Sequence, residues 1–190
     1  MIVRAATILW GLAVSIGLLA LTGYSARPGE PGDPTPRWPS ESRIAASSDR
    51  PTLVLFLDPL CPCSSATLAE LQRCLARRRT PIAVHAVVVG QEPEGTIRRK
   101  LKAIAGVHLV VDDDGDEMRR FGAATSGHVL FYSPDGRLIF SGGITPARGH
   151  EGESAGGSAL MALGSGLTSM ISSAPVYGCP LQNFSEKTDL

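Results

Sequence analysis

Residues 52–57 form an apolar, β-rich run, TLVLFL, and a loop with two cysteines one residue apart follows it. A short continuous apolar run bounded by Pro51 and a polar loop predicts a buried strand. The next segment, capped by Ser64 or Ser65 and running to about Arg79, places leucines on one face and predicts an amphipathic helix. This order of strand, cysteine-bearing loop and helix restricts the fold more than any other feature.

The rest of the chain alternates between strand and helix patterns. The spacing predicts a buried strand, a helix, a short strand, one helical turn, a hairpin around Asp135-Gly136 and a final helix. The expected strands cover residues 82–89 and 108–111, and the hairpin strands cover 129–132 and 138–141. The expected helices cover residues 96–105 and 158–171, and the helical turn covers 117–121. Strands separated by helices pair in parallel, while a hairpin adds antiparallel strands. We therefore expect an α/β fold, a mixed central sheet flanked by helices, in one domain over residues 49–190.

An uncharged apolar stretch runs from Ala5 to Tyr24 near the N-terminus. A stretch of this length can span a bilayer as a helix. Arg4 precedes it, which favours a cytoplasmic N-terminus and export of the remaining chain. Residues 1–25 are therefore expected to be a membrane anchor or signal segment. The globular domain would then lie on the periplasmic or extracellular side.

Residues 26–48 are rich in Pro, Gly and Ser and are expected to form a semi-extended linker. Trp38 within this segment either docks on the domain or lies in the membrane interface. The chain carries equal numbers of basic and acidic residues, 18 of each. Nucleic-acid binding is therefore not expected, because it requires a concentrated basic patch.

Two segments resemble thioredoxins. VLFLDPLCPC resembles the thioredoxin pattern of an apolar strand, a short loop and a cysteine at a helix start. FGAATSGHVLFYSPDGRLIFSGGI resembles the later stretch in which a cis-proline precedes a strand hairpin. The segments CPCS, TSGHVLFY, FSGGITPARGHEG and YGCPL are similar to RedB-type proteins, which are themselves thioredoxin-like. The resemblance implies a thioredoxin-like fold over about residues 51–171 and thiol–disulfide exchange.

The chain departs from the thioredoxin pattern at two places. Thioredoxins carry C-x-x-C, whereas this chain carries C-x-C, and aligning Cys61 with the attacking cysteine puts Ser64 at the resolving position. Gly127 stands at the cis-proline position, between Ser126 and His128. Because this loop faces the active-site cysteines in the thioredoxin-like fold, the resemblance implies that all three of its residues lie near Cys61.

The cysteines predict redox chemistry centred on Cys61. A thiol at a helix N-terminus has a favoured thiolate form, which is the nucleophile in exchange. Cys63 is a second catalytic candidate, but side chains two apart on a helix diverge, so a Cys61–Cys63 disulfide needs a distorted turn. Cys179 in the tail is an equal candidate for the resolving cysteine. Cys74 lies on the apolar helix face and is expected to pack in the core.

The same thiols also suit a soft metal ion such as Cu(I). Cys61 and Cys63 would supply two thiolates, and the resemblance places His128 near them as a third ligand. His150, in the glycine-rich loop, is a further candidate.

We therefore expect a membrane-tethered, exported, thioredoxin-like thiol–disulfide oxidoreductase that requires no cofactor. Its expected partner is an exported cysteine-containing protein. The alternative is a copper-binding, chaperone-like module that uses the same cysteines and a histidine. The helix-end position of Cys61 favours the first hypothesis, and the histidine in the facing loop favours the second.

Overall fold

A computed structural model describes residues 2–181 of the chain, so the expected domain end at residue 190 lies outside the described residues. The elements follow the expected alternation of strands and helices. In chain order they are α1 (Ile2–Ser25), β1 (Thr52–Leu57), α2 (Cys63–Ala76), β2 (Ala83–Val89), α3 (Gly95–Ala103), β3 (Val107–Asp112), α4 (Asp116–Phe121), β4 (His128–Tyr132), β5 (Leu138–Gly142), α5 (Ala155–Gly164) and β6 (Ser173–Ala174).

The strands form one six-stranded mixed sheet in the order β3-β2-β1-β4-β5-β6. β1, β2 and β3 run parallel, β4 is antiparallel to both β1 and β5, and β6 is parallel to β5. This confirms the expected mixed α/β fold. Because β4 runs antiparallel to β1, the loop after β1 lies at the edge of the sheet where β4 begins.

β1 is buried along its whole length because alternate side chains enter two separate cores. Leu53, Leu55 and Leu57 pack in the first core, together with apolar residues of α2, α3 and α5. Val54 and Phe56 point to the other face and pack in the second core, which α4 covers. A strand that is buried on both faces has a continuous apolar sequence, as β1 does.

The second core also includes the segment that was expected to be a linker. The Trp38 ring packs edge-on against Phe121 and Tyr132, with ring centroids 5.0 and 5.1 Å apart. The indole N–H of Trp38 donates to the carbonyl of Ile44 at 3.2 Å, and Ile44 is itself buried. Trp38 therefore docks on the domain.

Hydrogen bonds and charged groups fix the same segment along its length. The Gly29 N–H donates to the carbonyl of Val176 at 2.8 Å, and Arg43 pairs with the buried Asp112 at 3.0 Å. The expectation of a linker over residues 26–48 is therefore corrected, since the domain begins near Gly29. The periodicity of the sequence could not show this, because an irregular segment with two apolar contacts carries no helical or strand repeat.

The N-terminal apolar helix is confirmed as α1. Its portion from Val3 to Ser25 has a mean hydropathy of 2.0, and its most apolar stretch is not buried against the rest of the protein. At a rise of about 1.5 Å per residue such a helix is long enough to cross the hydrocarbon core of a bilayer.

Candidate functional site

Cys61 lies immediately before α2, at the edge of the sheet where β1 ends. Pro62 is the N-cap residue of α2 and Cys63 is its first residue. The Cys61 N–H donates to the carbonyl of Asp58 at 3.2 Å, and the Ser64 N–H donates to the carbonyl of Cys61 at 3.1 Å. The backbone of this loop thus holds Cys61 at the positive end of the helix dipole, where a thiolate is stabilised.

The C-terminal tail brings a third cysteine to this place. The Ser126 N–H donates to the carbonyl of Cys179 at 2.9 Å, and the Leu181 N–H donates to the carbonyl of Ala124 at 2.8 Å. Thr125 and Pro180 form an antiparallel bridge between these two bonds. The tail therefore pairs as a short strand with the loop before β4, and this pairing points Cys179 at Cys61.

The sulfurs of Cys61, Cys63 and Cys179 form a compact group, which we call the sulfur cluster. All three lie within 4.8 Å of one another. The Sγ atoms of Cys61 and Cys179 are 2.9 Å apart, although the residues are separated by 118 positions. Cys74 lies apart from the cluster, buried in the first core with its Sγ 3.8 Å from the carbonyl of Gly157.

The environment of the sulfur cluster disfavours ionisation of two of its thiols. Burial raises the pKa of Cys63, and negative charge on Cys61 raises it further. Burial also raises the pKa of Cys179 to about 12, with further contributions from the hydrogen bond and the negative charge of Cys61. Arg148 opposes both shifts, because its positive charge lowers each pKa. Ionisation of Cys63 or Cys179 is therefore disfavoured in this arrangement.

A hydroxyl network joins the cysteine loop to the loop before β4. The Asp58 N–H donates to Ser126 Oγ at 2.9 Å, and Ser64 Oγ donates to the Asp58 carbonyl at 2.6 Å. The two serine hydroxyls are 3.0 Å apart, and both residues are fully buried. Ser64 therefore does not cap α2 as expected. It stands at the position of the thioredoxin resolving cysteine, and its hydroxyl holds the loop between β1 and α2 in place.

Gly127 connects this network to α2 in a conformation that favours glycine. Its φ is +91°, and its N–H donates to the carbonyl of Phe56 at 2.8 Å. A Cβ atom at this position would lie 2.9 Å from Thr67 Oγ1. The loop thus passes the first turns of α2 at a distance that only glycine allows without displacement of a neighbour.

His128 takes a different place from the one expected. Its side chain is on the same face of β4 as Leu130 and Tyr132, which belong to the second core, whereas α2 covers the first. Its Nε2 lies 2.8 Å from Ser141 Oγ, and burial lowers its pKa to about 4. His128 is therefore a neutral, buried side chain, and Cys179 occupies the place near Cys61 where His128 was expected.

Arg148 is a site residue that the sequence analysis missed. It lies in the glycine-rich loop between β5 and α5, and its guanidinium donates to the carbonyl of Gly178, next to Cys179. Its neighbour His150 is exposed, with Nδ1 2.7 Å from the Arg148 carbonyl. In the sequence, the only signal of its role was its position in the segment FSGGITPARGHEG, which resembles RedB-type proteins.

This geometry permits two kinds of chemistry. Cys61 and Cys179 are close enough to form a disulfide with little movement of either residue. Three thiolates that converge on one point can also hold a soft metal ion. The residues that could hold such an ion are Cys61, Cys63 and Cys179.

No protein-family model and no curated protein matches the chain significantly. Among solved structures, an uncharacterized conserved protein from Geobacillus kaustophilus is 17% identical, with a TM-score of 0.59 over 83% of this chain and 92% of that chain. A hypothetical protein from Sinorhizobium meliloti is 23% identical, with a TM-score of 0.52 over 70% of this chain and 80% of that chain. The exposed lipoprotein thioredoxin of Streptococcus pneumoniae is 17% identical, with a TM-score of 0.41 over 56% of this chain and 78% of that chain.

The strand order gives the fold its class. β1 and β2 are parallel neighbours, the β4–β5 hairpin adds on the other side of β1, and the cysteines follow β1 at the start of α2. This is the arrangement that the thioredoxin resemblance implied. The sequence resemblance to RedB-type proteins, which is closer than that to thioredoxins in general, remains a prediction. The chain has the thioredoxin-like fold.

Proposed function

We propose that the protein is a membrane-tethered thiol–disulfide oxidoreductase whose exchanging pair is Cys61 and Cys179. The observation that carries this proposal is the 2.9 Å separation of their Sγ atoms, which the paired tail creates across 118 residues of sequence. Cys61 has the helix-end position that favours a thiolate, and the Cys179 sulfur lies 2.9 Å from it.

The roles of the two cysteines follow from these positions. The Cys61 thiolate attacks one sulfur of a substrate disulfide, forms a mixed disulfide and releases the first substrate thiolate. Cys179, as its thiolate, then attacks the sulfur of Cys61, forms the Cys61–Cys179 disulfide and releases the second substrate thiolate. The substrate disulfide gains two electrons and the cysteine pair loses two. The reverse sequence oxidises a substrate dithiol.

Cys63 is the less suitable resolving partner, although it is close. It is the first residue of α2, and side chains two positions apart in a helical turn point away from each other. A disulfide requires its two Cβ atoms near 3.8 Å, so a Cys61–Cys63 bond would need the start of α2 to rearrange. We therefore assign the resolving role to Cys179.

Access to Cys61 requires movement of the tail. Cys61 is only 3% exposed, while Cys179 is partly exposed. Two backbone hydrogen bonds, at Ser126 and Leu181, pair the tail with the loop before β4. Displacement of this short pairing would uncover Cys61 for a substrate, which we propose is an exported cysteine-containing protein.

Variants of the full chain in detergent micelles test this proposal with a disulfide-containing peptide as substrate. Cys61→Ser should abolish exchange, and Cys179→Ser should stop it at a stable mixed disulfide between Cys61 and the peptide. Cys63→Ser should retain exchange, and Cys74→Ser, a change in the core far from the reacting sulfurs, serves as the matched control. Full activity of Cys61→Ser would overturn the proposal.

The second candidate function is binding of a soft ion such as Cu(I) by the sulfur cluster. The observation that favours it is the convergence of three sulfurs within 4.8 Å, a set suited to a soft ion. Competition with a Cu(I) chelator would measure the affinity. Loss of affinity in each of Cys61→Ser, Cys63→Ser and Cys179→Ser, with none in Cys74→Ser, is the expected result for this function.

A further inference from the structure

Arg148 joins the end of the membrane helix to the sulfur cluster. Its backbone N–H donates to the carbonyl of Ser25 at 3.0 Å, and its Nε donates to the carbonyl of Arg27 at 3.0 Å. Its guanidinium lies over the Tyr24 ring, 5.1 Å from the centroid, and also donates to the carbonyl of Gly178. We call this set of contacts the Arg148 clamp.

The clamp reaches the chemistry directly. Gly178 is adjacent to Cys179, and the charge of Arg148 lowers the pKa of both Cys63 and Cys179. One side chain therefore touches the last turn of α1 and the residue next to the resolving thiol. The sulfur cluster cannot be far from the point at which the chain leaves the bilayer.

The length of α1 places that point at the membrane surface. The apolar portion, from Val3 to Ser25, spans about 35 Å at 1.5 Å per residue, close to the thickness of a bilayer hydrocarbon core. Tyr24 lies at its end, where aromatic side chains are enriched in membrane proteins. The opposite edge of the sheet, where β1 begins, lies about 20 Å from the cysteine edge, since β1 has six residues.

A large apolar side chain is exposed next to the site. Leu60 precedes Cys61 and is 74% exposed, although it belongs to a loop otherwise fixed by hydrogen bonds. Its exposed side chain lies beside Cys61, so a substrate that reaches this thiol also meets an apolar side chain.

We propose that the Arg148 clamp holds the sulfur cluster against the bilayer surface, so that its substrate is a disulfide presented close to the membrane by a membrane-embedded protein. This inference rests on the proposed function of Cys61 and Cys179. The reaction is the exchange described above, with the substrate disulfide within reach of the lipid headgroups rather than in free solution. The clamp thereby selects substrates by their height above the bilayer.

Liposomes that contain the full chain test this proposal with one disulfide peptide in three forms. The peptide is attached to a lipid by a tether of a few residues, attached by a long flexible tether, or left free in solution. The two anchored forms share one surface density, so they differ only in how far the disulfide reaches from the bilayer. Exchange of the short-tether peptide should be at least as fast as that of the long-tether peptide.

A spacer variant supplies the matched control. An insertion of about ten glycine and serine residues after Gly23 leaves the contacts of Arg148 with Tyr24, Ser25 and Arg27 on the domain side. It separates the membrane span from the domain by a root-mean-square distance of roughly 17 Å and leaves every cysteine in place. In this variant the short-tether peptide should lose its advantage and react about tenfold more slowly than the long-tether peptide. The free peptide should react equally with both proteins.

The outcomes separate the two proposals. If the long-tether and free peptides react with the unmodified protein while the short-tether peptide does not, the site faces away from the bilayer and this inference is overturned. An unchanged short-tether rate in the spacer variant would also overturn it. If no form of the peptide reacts, the proposed function itself fails.

Discussion

Cys61, the cysteine proposed to attack the substrate, is enclosed by its surroundings. Cys61 lies at the N-terminal end of the α2 dipole with the Cys179 sulfur 2.9 Å away, and its side chain is almost fully buried. Burial keeps reagents in solution away from the Cys61 sulfur while the tail is in place. Slow alkylation of Cys61 in the folded protein is therefore compatible with exchange. A substrate that displaces the tail uncovers the Cys61 sulfur, whereas a small alkylating reagent does not.

Protonation of His128 should destabilise the fold in acid. Burial lowers its pKa from 6.5 to about 4, so the unfolded chain binds this proton more readily than the folded chain. The contribution of His128 to stability is thus fully present above about pH 6.5 and is lost as the pH falls toward 4. The free energy of unfolding should fall by about 2 kcal/mol from this residue between pH 7 and pH 5.

Chemical denaturation across this pH range measures that loss. His128→Gln should flatten the profile, whereas His150→Gln, at an exposed position, should leave it unchanged. An equal pH dependence in the His128→Gln variant and in the unmodified protein would contradict the assignment.

Replacement of Gly127 by alanine should cost stability for two reasons. An alanine at a φ of +91° is strained, and its Cβ would lie 2.9 Å from Thr67 Oγ1. Gly106→Ala is the matched control, because Gly106 has a φ of +80° but its Cβ would meet nothing within 4 Å. Denaturant unfolding should show Gly127→Ala less stable than Gly106→Ala by about 1–3 kcal/mol. Equal losses would mean that the approach to α2 is not tight.

Local patterns predicted the first two cysteines of the site but not its full membership. Cys61 and Cys63 stand at a strand–helix junction that is visible in ten residues of sequence. Cys179 was one of two open choices for the partner, since its position depends on the path of the tail. No spacing rule links Arg148 to Cys61. The face of the sheet on which His128 lies depends on the register of β4, and a shift of one residue would move His128 to the opposite face.

At the scale of elements, each strand that the sequence predicted lies within one residue of its expected bounds. The last helix is different: expected over residues 158–171, it is α5, Ala155–Gly164. Ser154 caps it by accepting from the Gly157 N–H at 3.0 Å, and Gly166, at a φ of +76°, follows its end. β6 was not predicted, because two residues are too short to show any periodicity.

The segment around Trp38 should contribute substantially to the stability of the domain. Its ring packs on Phe121 and Tyr132, so Trp38→Ala removes a large apolar contact from the second core. The expected loss is about 2–4 kcal/mol in the free energy of unfolding, toward the lower end because the ring is only half-buried.

Denaturation of a soluble chain that begins at Pro28 measures this loss. Arg37→Ala, at an exposed neighbouring position, should change stability by less than about 0.5 kcal/mol. A chain shortened to begin near Ser47 should be less stable than one that begins at Pro28. Equal stability of the two chains would show that the docked segment does not belong to the folding unit.

At the scale of the whole molecule, the relation between α1 and the sulfur cluster could not be predicted from sequence. The alternation of strands and helices was enough for the sheet, because adjacent elements pair by simple rules. The contact between the end of α1 and the loop after β5 joins parts of the chain about 120 residues apart through one arginine. Such a contact leaves no local pattern.

The apolar helix and the single arginine before it predict that the domain is exported. A reporter enzyme that works only outside the cytoplasm, fused after Leu190, should be active in intact cells. The same reporter fused to a chain with additional arginines after Ser25 and none before the helix should lose activity. An inactive first fusion that is nevertheless inserted in the membrane would reverse the proposed topology and remove the oxidising compartment that a stable disulfide needs.

Disulfide mapping of the mildly oxidised full chain tests the Cys61–Cys179 pair most directly. Free thiols are blocked with a maleimide after denaturation, the protein is digested, and linked peptides are identified by mass. We predict one peptide pair joined through Cys61 and Cys179, with Cys63 and Cys74 labelled; repetition with Cys63→Ser confirms which thiol of the loop is linked. A bond between Cys61 and Cys63, with Cys179 labelled as a free thiol, would contradict the account.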